Sequence, residues 1–267
     1  MQSITMFGTG SAMVTQCYNT CFYIKSEKSG IMVDAGGGNG ILGRIESSQL
    51  DYNDIHHLFI THCHCDHIMG AVWIIRKISP LQFKRKYMGK LTVYGHNEVI
   101  SALKSMCELM LPEKIRAAFD ETIIFRQVDD GEHLEIDDIE ITVFDVCSIK
   151  TKQYGFVATL PGGKRVAVAG DEPFNMVNEH LVQGCDWLMC EAFCLYANRE
   201  QFRPYEKHHS TALDAGMTAK YLNVKNLLLY HTEDKHLNTR STAFIAEAAT
   251  QFKGNIVVPD DLDVIII

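Results

Sequence analysis

The chain has no apolar run approaching the roughly 18 residues of a membrane-spanning helix, so no span is expected. Its first residues, Met1 to Phe7, lack a basic stretch followed by an apolar one, so no secretory signal is expected either. Basic residues do not outnumber acidic ones: the formal net charge is −8, which disfavours broad binding to nucleic acid or to an anionic membrane. No 20–50-residue period and no low-complexity tract is present, which argues against a solenoid or a linker-rich chain. Nine cysteines are an odd number without small-scaffold spacing, so they read as reduced thiols of a cytoplasmic protein rather than a disulfide framework. Gly8-Thr9-Gly10 follows an apolar strand, but the third glycine and the helix of a dinucleotide fingerprint are missing.

What is there centres on Thr61-His62-Cys63-His64-Cys65-Asp66-His67. The run before it, His57 to Ile60, reads as a buried strand, and Ile68 to Ile78 has apolar residues at helical spacing. In extended backbone His62 and His64 point one way while Cys63 and Cys65 point the other. Asp66 and His67 then fall at the start of the helix, on the edge of the same cavity. For one histidine, a polar loop would be the better explanation. Three imidazoles and a carboxylate at this spacing are the donor set of a zinc, iron or manganese site.

The rest of the chain alternates strands and helices. Strands are expected at Ser3–Phe7, Asn19–Ile24, Gly30–Asp34, Leu91–Tyr94, Ile123–Val128, Leu134–Ile136, Ile139–Val146, Tyr154–Leu160, Arg165–Ala169, Trp187–Cys190, Leu227–Tyr230, Gly254–Val258 and Asp263–Ile267. Helices are expected at Ile41–Leu50, around Val99 to Met106, at Ile115–Phe119, Ser210–Tyr221 and Thr242–Phe252, with Ser79-Pro80 ending the helix after the histidine loop. Periodicity alone gives one mixed α and β domain over residues 1–267. A dense basic run, from Arg76 to Lys90, reads first as a solvated face and second as a place to meet an anionic substrate.

His-x-His-x-Asp-His resembles the signature of the metallo-β-lactamase fold superfamily, and Asp34-Ala35-Gly36-Gly37-Gly38, Ala169-Gly170-Asp171 and Leu228-Leu229-Tyr230-His231 resemble its further motifs in the right order. The resemblance implies a four-layer αββα sandwich, an α/β (α+β) fold. It implies that Asp34 braces the ligand loop, that Asp171 bridges two metals and that His231 ends a buried strand as a ligand. The polar Thr-Glu-Asp-Lys after His231 suggests that this strand end opens to solvent. Asp186 to Ala192 and His208-His209-Ser210-Thr211 resemble segments of ribonuclease Z and its phosphodiesterase relatives, where a glutamate orients a histidine near the scissile phosphate. That carries over to Glu191 and His209, with Ser210 or Thr211 capping the following helix.

The chain departs from the resembled pattern in two places. No histidine lies between His133 and Tyr154 to serve as the third histidine of the first metal, and the residue in that slot is aligned as Cys147. A thiolate there would favour zinc, whereas a merely packed cysteine would leave the first site weak. There is also no Gly/Pro-rich arm of the kind that grips tRNA. The expected protein is a metal-dependent hydrolase of phosphodiesters. The resemblance implies that His62, His64, Asp171 and, in the aligned slot, Cys147 would hold one divalent ion and that Asp66, His67, Asp171 and His231 would hold the other; zinc is favoured, with iron and manganese compatible. It implies Asp66, Glu191 and His209 as the catalytic residues. The expected partner is a phosphodiester-containing small molecule or short nucleic acid, with no membrane and with a homodimer allowed. The alternatives are a thioester, lactone or β-lactam hydrolase on the same metals, or a non-catalytic metal-holding protein.

Overall fold

A computed structural model describes all 267 residues. One sheet has the spatial order β14-β1-β2-β3-β4-β5-β6, built from β1 (Ser3–Gly8), β2 (Cys21–Lys25), β3 (Gly30–Val33), β4 (His57–Phe59), β5 (Leu91–Gly95), β6 (Ile123–Gln127) and β14 (Val264–Ile266). The other has the order β13-β12-β11-β10-β9-β8-β7, built from β7 (His133–Ile136), β8 (Ile139–Asp145), β9 (Tyr154–Leu160), β10 (Lys164–Val168), β11 (Trp187–Glu191), β12 (Asn226–Tyr230) and β13 (Asn255–Val257). Each sheet is half antiparallel and half parallel: β3 to β6 run parallel, and so do β10 to β13. The parallel strands β3, β11 and much of β12 are buried on both faces, which is why they read as unbroken apolar runs.

Three apolar cores separate four layers. Ile4, Phe22, Val33, Phe59, Phe156, Val168, Met189 and Leu228 pack between the sheets. The outer face of the first sheet is covered by α1 (Gly40–Ser47), α2 (Cys65–Phe83) and α3 (Asn97–Met110), and α4 (Glu113–Arg116) packs on α2. The outer face of the second is covered by α7 (Ala212–Tyr221) and α8 (Leu237–Ala248), with short α5 (Glu179–Val182) and α6 (Arg199–Phe202) in the connections. This is the αββα sandwich expected from the motifs.

Several boundaries differ from expectation. Pro80 does not end α2, which continues to Phe83. A proline removes one backbone donor and usually stops a helix. Here Ile78 and Ser79 are fully buried, and the Ser79 hydroxyl donates to the Ile115 carbonyl at 3.3 Å, so packing carries the last turn. Helix α8 starts at Leu237, earlier than Thr242, because the charged Arg240 is buried inside it. Thr211 caps α7, as expected, in a capping box with Asp214.

Candidate metal centre

Parallel strands deliver their loops to one end of a sheet, and here both sheets do so on the same side. The chain leaving β3 carries Asp34, that leaving β4 carries His62 to His67, that after β10 carries Asp171, β11 ends on Glu191, and β12 is followed by His231. Asp34 and His231 have φ of +55° and +57°. Non-glycine residues in that region cost on the order of 1–3 kcal/mol and persist where surrounding contacts fix them. Those contacts are present at Asp34: its carboxylate accepts from the Thr61 amide and hydroxyl, both at 2.8 Å, and lies 2.7 Å from His67 Nδ1. Asp34 therefore braces the histidine loop from behind.

The side chains converge on Asp171 Oδ2. His62 Nε2 lies 3.7 Å from it, and His67 Nε2 and His231 Nε2 each lie 3.5 Å away. Asp66 Oδ2 is 3.3 Å from His67 Nε2. His62, His67 and Asp171 form one group able to hold a cation, and Asp66, His67 and His231 form another. His64 adds Nδ1 at 2.9 Å from His62 Nε2. The outer nitrogens are tethered: His67 Nδ1 to Asp34, His231 Nδ1 to the Thr20 hydroxyl at 3.2 Å, and His62 Nδ1 to the Thr61 hydroxyl at 2.9 Å. Tethering one ring nitrogen so that the other faces inward is the support a metal-ligating histidine requires.

These residues fit a divalent cation. His67 Nε2 is buried without a hydrogen-bond partner, yet it faces two carboxylates. Ligand atoms about 2.0–2.1 Å from a tetrahedral zinc stand about 3.4 Å apart, close to the separations here. The electrostatics agree. Burial opposes a charged His67, but Asp34 and Asp66 overcome it and push its pKa well above the imidazole range. Burial likewise opposes ionised Asp171 and Asp66, and the facing histidines hold both below the usual carboxylate range. The cluster is a buried anionic nest that demands positive charge.

Cys147 is not brought to this cluster. It is exposed, with φ +59°; its amide is held by the Asp145 carboxylate at 2.7 Å and its Sγ lies 3.6 Å from the Asp145 carbonyl. The turn that follows β8 points the thiol outward. Gln153, which the motif reading overlooked, is buried in the site instead. Its amide nitrogen donates to Asp171 Oδ1 and lies 2.8 Å from His62 Nδ1. The available signal was a glutamine abutting the buried run of β9.

Glu191 and His209 stand beside the cluster. Glu191 is fully buried, and its Oε1 accepts from the Ser210 amide. Its Oε2 and His209 Nδ1 are both buried without a hydrogen-bond partner and face each other at 3.8 Å. The His209 ring stacks on Phe193, with centroids 5.0 Å apart, and lies 5.4 Å from the His231 ring. Burial pushes the Glu191 carboxyl well above its usual range, against the Ser210 hydrogen bonds. Burial, helped by His231 and Lys150, lowers His209 to about 3. Of the polar Thr-Glu-Asp-Lys run after His231 only Lys235 opens to solvent: Thr232, Glu233 and Asp234 are buried, and Asp234 accepts from the Thr15 and Gln16 amides at 2.6 and 2.9 Å.

The basic run also lies elsewhere than a substrate would need it. The N-terminus of α2 is at the histidine loop, and a 19-residue helix carries its C-terminus about 28 Å away. Lys84, Lys86 and Lys90 follow that distant end.

The layers, the strand order and the loop cluster define a metallo-β-lactamase fold protein. The chain aligns over its length with YhfI from Bacillus subtilis (TM-score 0.79, 16% identity, 98% of both chains) and with the human short form of tRNase Z (TM-score 0.76, 20% identity, 99% of both chains). A diphosphatase of the PhnP family aligns with a TM-score of 0.75 at 16% identity, over 100% of this chain and 98% of that one. In sequence it is 25% identical to the ribonuclease Z of Phocaeicola vulgatus, over 98% of this chain and 96% of that one, and 26% identical to that of Thermobifida fusca, over 98% and 93%. Within this class the chain belongs to the family described as Anti-Pycsar protein Apyc1, whose profile matches residues 2–243. No helix is long and apolar enough to cross a membrane.

Proposed function

We propose that this protein is a dinuclear metal-dependent phosphodiesterase acting on small or flexible diesters. The observation that carries the reading is the Glu191–His209 pair, buried and unpartnered, beside a cluster of histidines and carboxylates. Its sequence kinship to ribonuclease Z supports phosphate as the reacting group. An acyl substrate would leave that pair without a role.

Asp66, His67, His231 and Asp171 would hold one cation, and His62, His64 and Asp171 would hold the other, without Cys147. Zinc suits this donor set, and iron or manganese are compatible with it. Divalent ions bound there supply Lewis-acid activation of water and neutralise charge building on the phosphate. Asp66 orients the attacking water. Burial favours a neutral carboxyl on Glu191 and a neutral imidazole on His209; the 3.8 Å gap between them would close to a hydrogen bond in the substrate complex, Glu191 donating to Nδ1 while Nε2 carries the imidazole proton. As the phosphorus–oxygen bond to the leaving alcohol breaks, Nε2 gives its proton to the departing oxygen and Glu191 passes its proton to Nδ1. Imidazole stays neutral throughout and Glu191 becomes the carboxylate; the proton released by the attacking water then returns to Nε2 as Nδ1 hands its proton back to Glu191, which resets the pair. Asp34 and Gln153 touch no substrate and hold the ligands in place.

The test combines metal analysis with turnover of a generic phosphodiester. The wild type is expected to hold two ions and to hydrolyse the diester. Asp171→Ala should lose metal from both sites, and an unchanged metal count would remove the bridging role. His209→Ala should keep its metal while the rate falls by about 10²–10⁴-fold, the usual range for a positioned acid–base group.

A further inference from the structure

We propose that Lys150 is a substrate-binding residue: its ammonium, pinned between the bridging aspartate's neighbour and the His209 segment, takes a non-bridging oxygen of the substrate phosphate. The inference rests on the phosphodiesterase reading above. It starts from the loop that joins β8 to β9, where a third metal-ligating histidine was expected. That loop turns Cys147 outward and sets Lys150 against Glu172 and the Lys207 carbonyl, on the segments that carry Asp171 and His209.

The placement is built, not incidental. Lys150 Nζ lies 3.3 Å from Glu172 Oε1 and donates to the Lys207 carbonyl at 3.1 Å. Glu172 directly follows Asp171 and is nearly buried, and Lys207 lies two residues before His209. The ammonium therefore sits at the seam between the two segments that carry the bridging carboxylate and the proton donor. The Ser148 hydroxyl donates to the same Glu172 oxygen at 2.8 Å and accepts from the Lys150 amide at 3.1 Å, so side chain and backbone of the loop are fixed together. An ammonium has three donors. Two are used here; the third has no protein acceptor.

A second cation shares this rim: Lys207 Nζ lies 4.9 Å from the Phe193 ring, whose face stacks on His209. A phosphate group held next to Asp171 and His209 would lie beside the two segments that Lys150 joins. An ordinary surface ion pair would need neither the buried Glu172 nor the Ser148 clamp.

The experiment compares wild type, Lys150→Ala and Lys150→Arg on a chromogenic phosphodiester, with inorganic phosphate as a competitive inhibitor and metal content measured in each. Lys150→Ala is expected to lower kcat/KM by about 10- to 100-fold, the worth of one charge-assisted hydrogen bond, and to weaken phosphate inhibition similarly with metal retained. Lys150→Arg should recover most of both. Unchanged kcat/KM and unchanged phosphate inhibition in Lys150→Ala overturn the inference while leaving the phosphodiesterase reading in place. A wild type that cleaves no diester removes that reading instead. Calorimetric binding of inorganic phosphate to the metal-loaded wild type and to Lys150→Ala then decides the subsite alone: equal affinity in both rejects it.

Discussion

At the scale of single residues, the site depends on groups that never meet a substrate. Gln153 presents one amide nitrogen to two members of the cluster, Asp171 and His62, from a position that is 1% exposed. Removing such a support commonly weakens a metal site by about 10- to 100-fold. Gln153→Ala should therefore retain the fold but show metal affinity lowered by about that factor, read by calorimetric titration of the metal-free protein. An unchanged affinity would reduce Gln153 to a packing residue. His209 makes a separate prediction about pH. Its folded-state pKa is lowered to about 3, mainly by burial, from an ordinary 6.5. The unfolded chain therefore binds more protons across that interval, so the contribution is full above pH 6.5 and is lost as pH falls towards 3. In metal-free protein, His209→Gln should flatten the acid side of the stability curve in urea titrations. A curve of unchanged slope between pH 6.5 and 4 would contradict the assignment.

At the scale of elements, the histidine loop is placed by the helix behind it. In α2 the Gly70 amide donates to the Gly36 carbonyl at 2.9 Å, and the Ala35 amide donates to the His67 carbonyl at 2.9 Å. A Cβ on Gly70 would run into the Ala35 carbonyl, which is backbone and cannot swing aside. Gly70→Ala, although it raises helix propensity by about 0.8–1.0 kcal/mol in the abstract, should destabilise the protein and lower its metal content together. Thermal melts with and without a chelator would separate the two effects, and a melting temperature at or above wild type would show that the contact relaxes freely. Much of this was legible beforehand. The strand before His62 and the helix after His67 follow from apolar spacing, and Asp34, Asp171 and His231 follow from motif order. What was not legible depended on tertiary contacts. Pro80 is carried through by buried neighbours. Cys147 and Gln153 lie six residues apart in one loop, and only the turn after β8 decides which of them faces inward. Thr232 to Asp234 read as solvent-facing because their partners, the Thr15 and Gln16 amides, lie more than 200 residues away in sequence.

At the scale of the whole molecule, the ends of the chain are locked onto the site. Arg240 in α8 is fully buried; it donates from Nη1 to the Thr9 and Thr232 hydroxyls, each at 3.0 Å, and from Nη2 to the Pro259 carbonyl and Asp260, each at 2.7 Å. It thereby joins the loop after β1, the segment after His231 and the approach to β14. Asp260 is largely exposed, so the cost of removing Arg240 falls on the buried Thr9, Thr232 and Pro259 oxygens left without a donor, about 1–3 kcal/mol. Arg240→Ala should lose about that much stability to urea, and a loss below about 1 kcal/mol would mean the neighbouring chain ends rearrange to compensate.

The charge distribution sets the last expectation, the size of what is cut. The net charge is −8, and the basic stretch from Lys84 to Lys90 lies about 28 Å from the histidine loop along α2. Near the candidate catalytic pair the structure places Lys150 and Lys207. Affinity for a nucleic acid rises with the number of phosphates neutralised and falls with salt in proportion to it, by a slope of about −0.7 per phosphate for single strands. A rim with two cations can engage one or two phosphates, not the many along a folded RNA. Turnover of a small diester should therefore depend weakly on salt, with kcat/KM falling on a log–log plot with a slope of magnitude about one. Precursor tRNA should be cut poorly or not at all under the same conditions. Efficient, position-specific cleavage of precursor tRNA, with a steep salt dependence, would show that a long nucleic acid is gripped by surfaces other than this rim, and it would overturn the proposed substrate class while leaving the metal centre untouched.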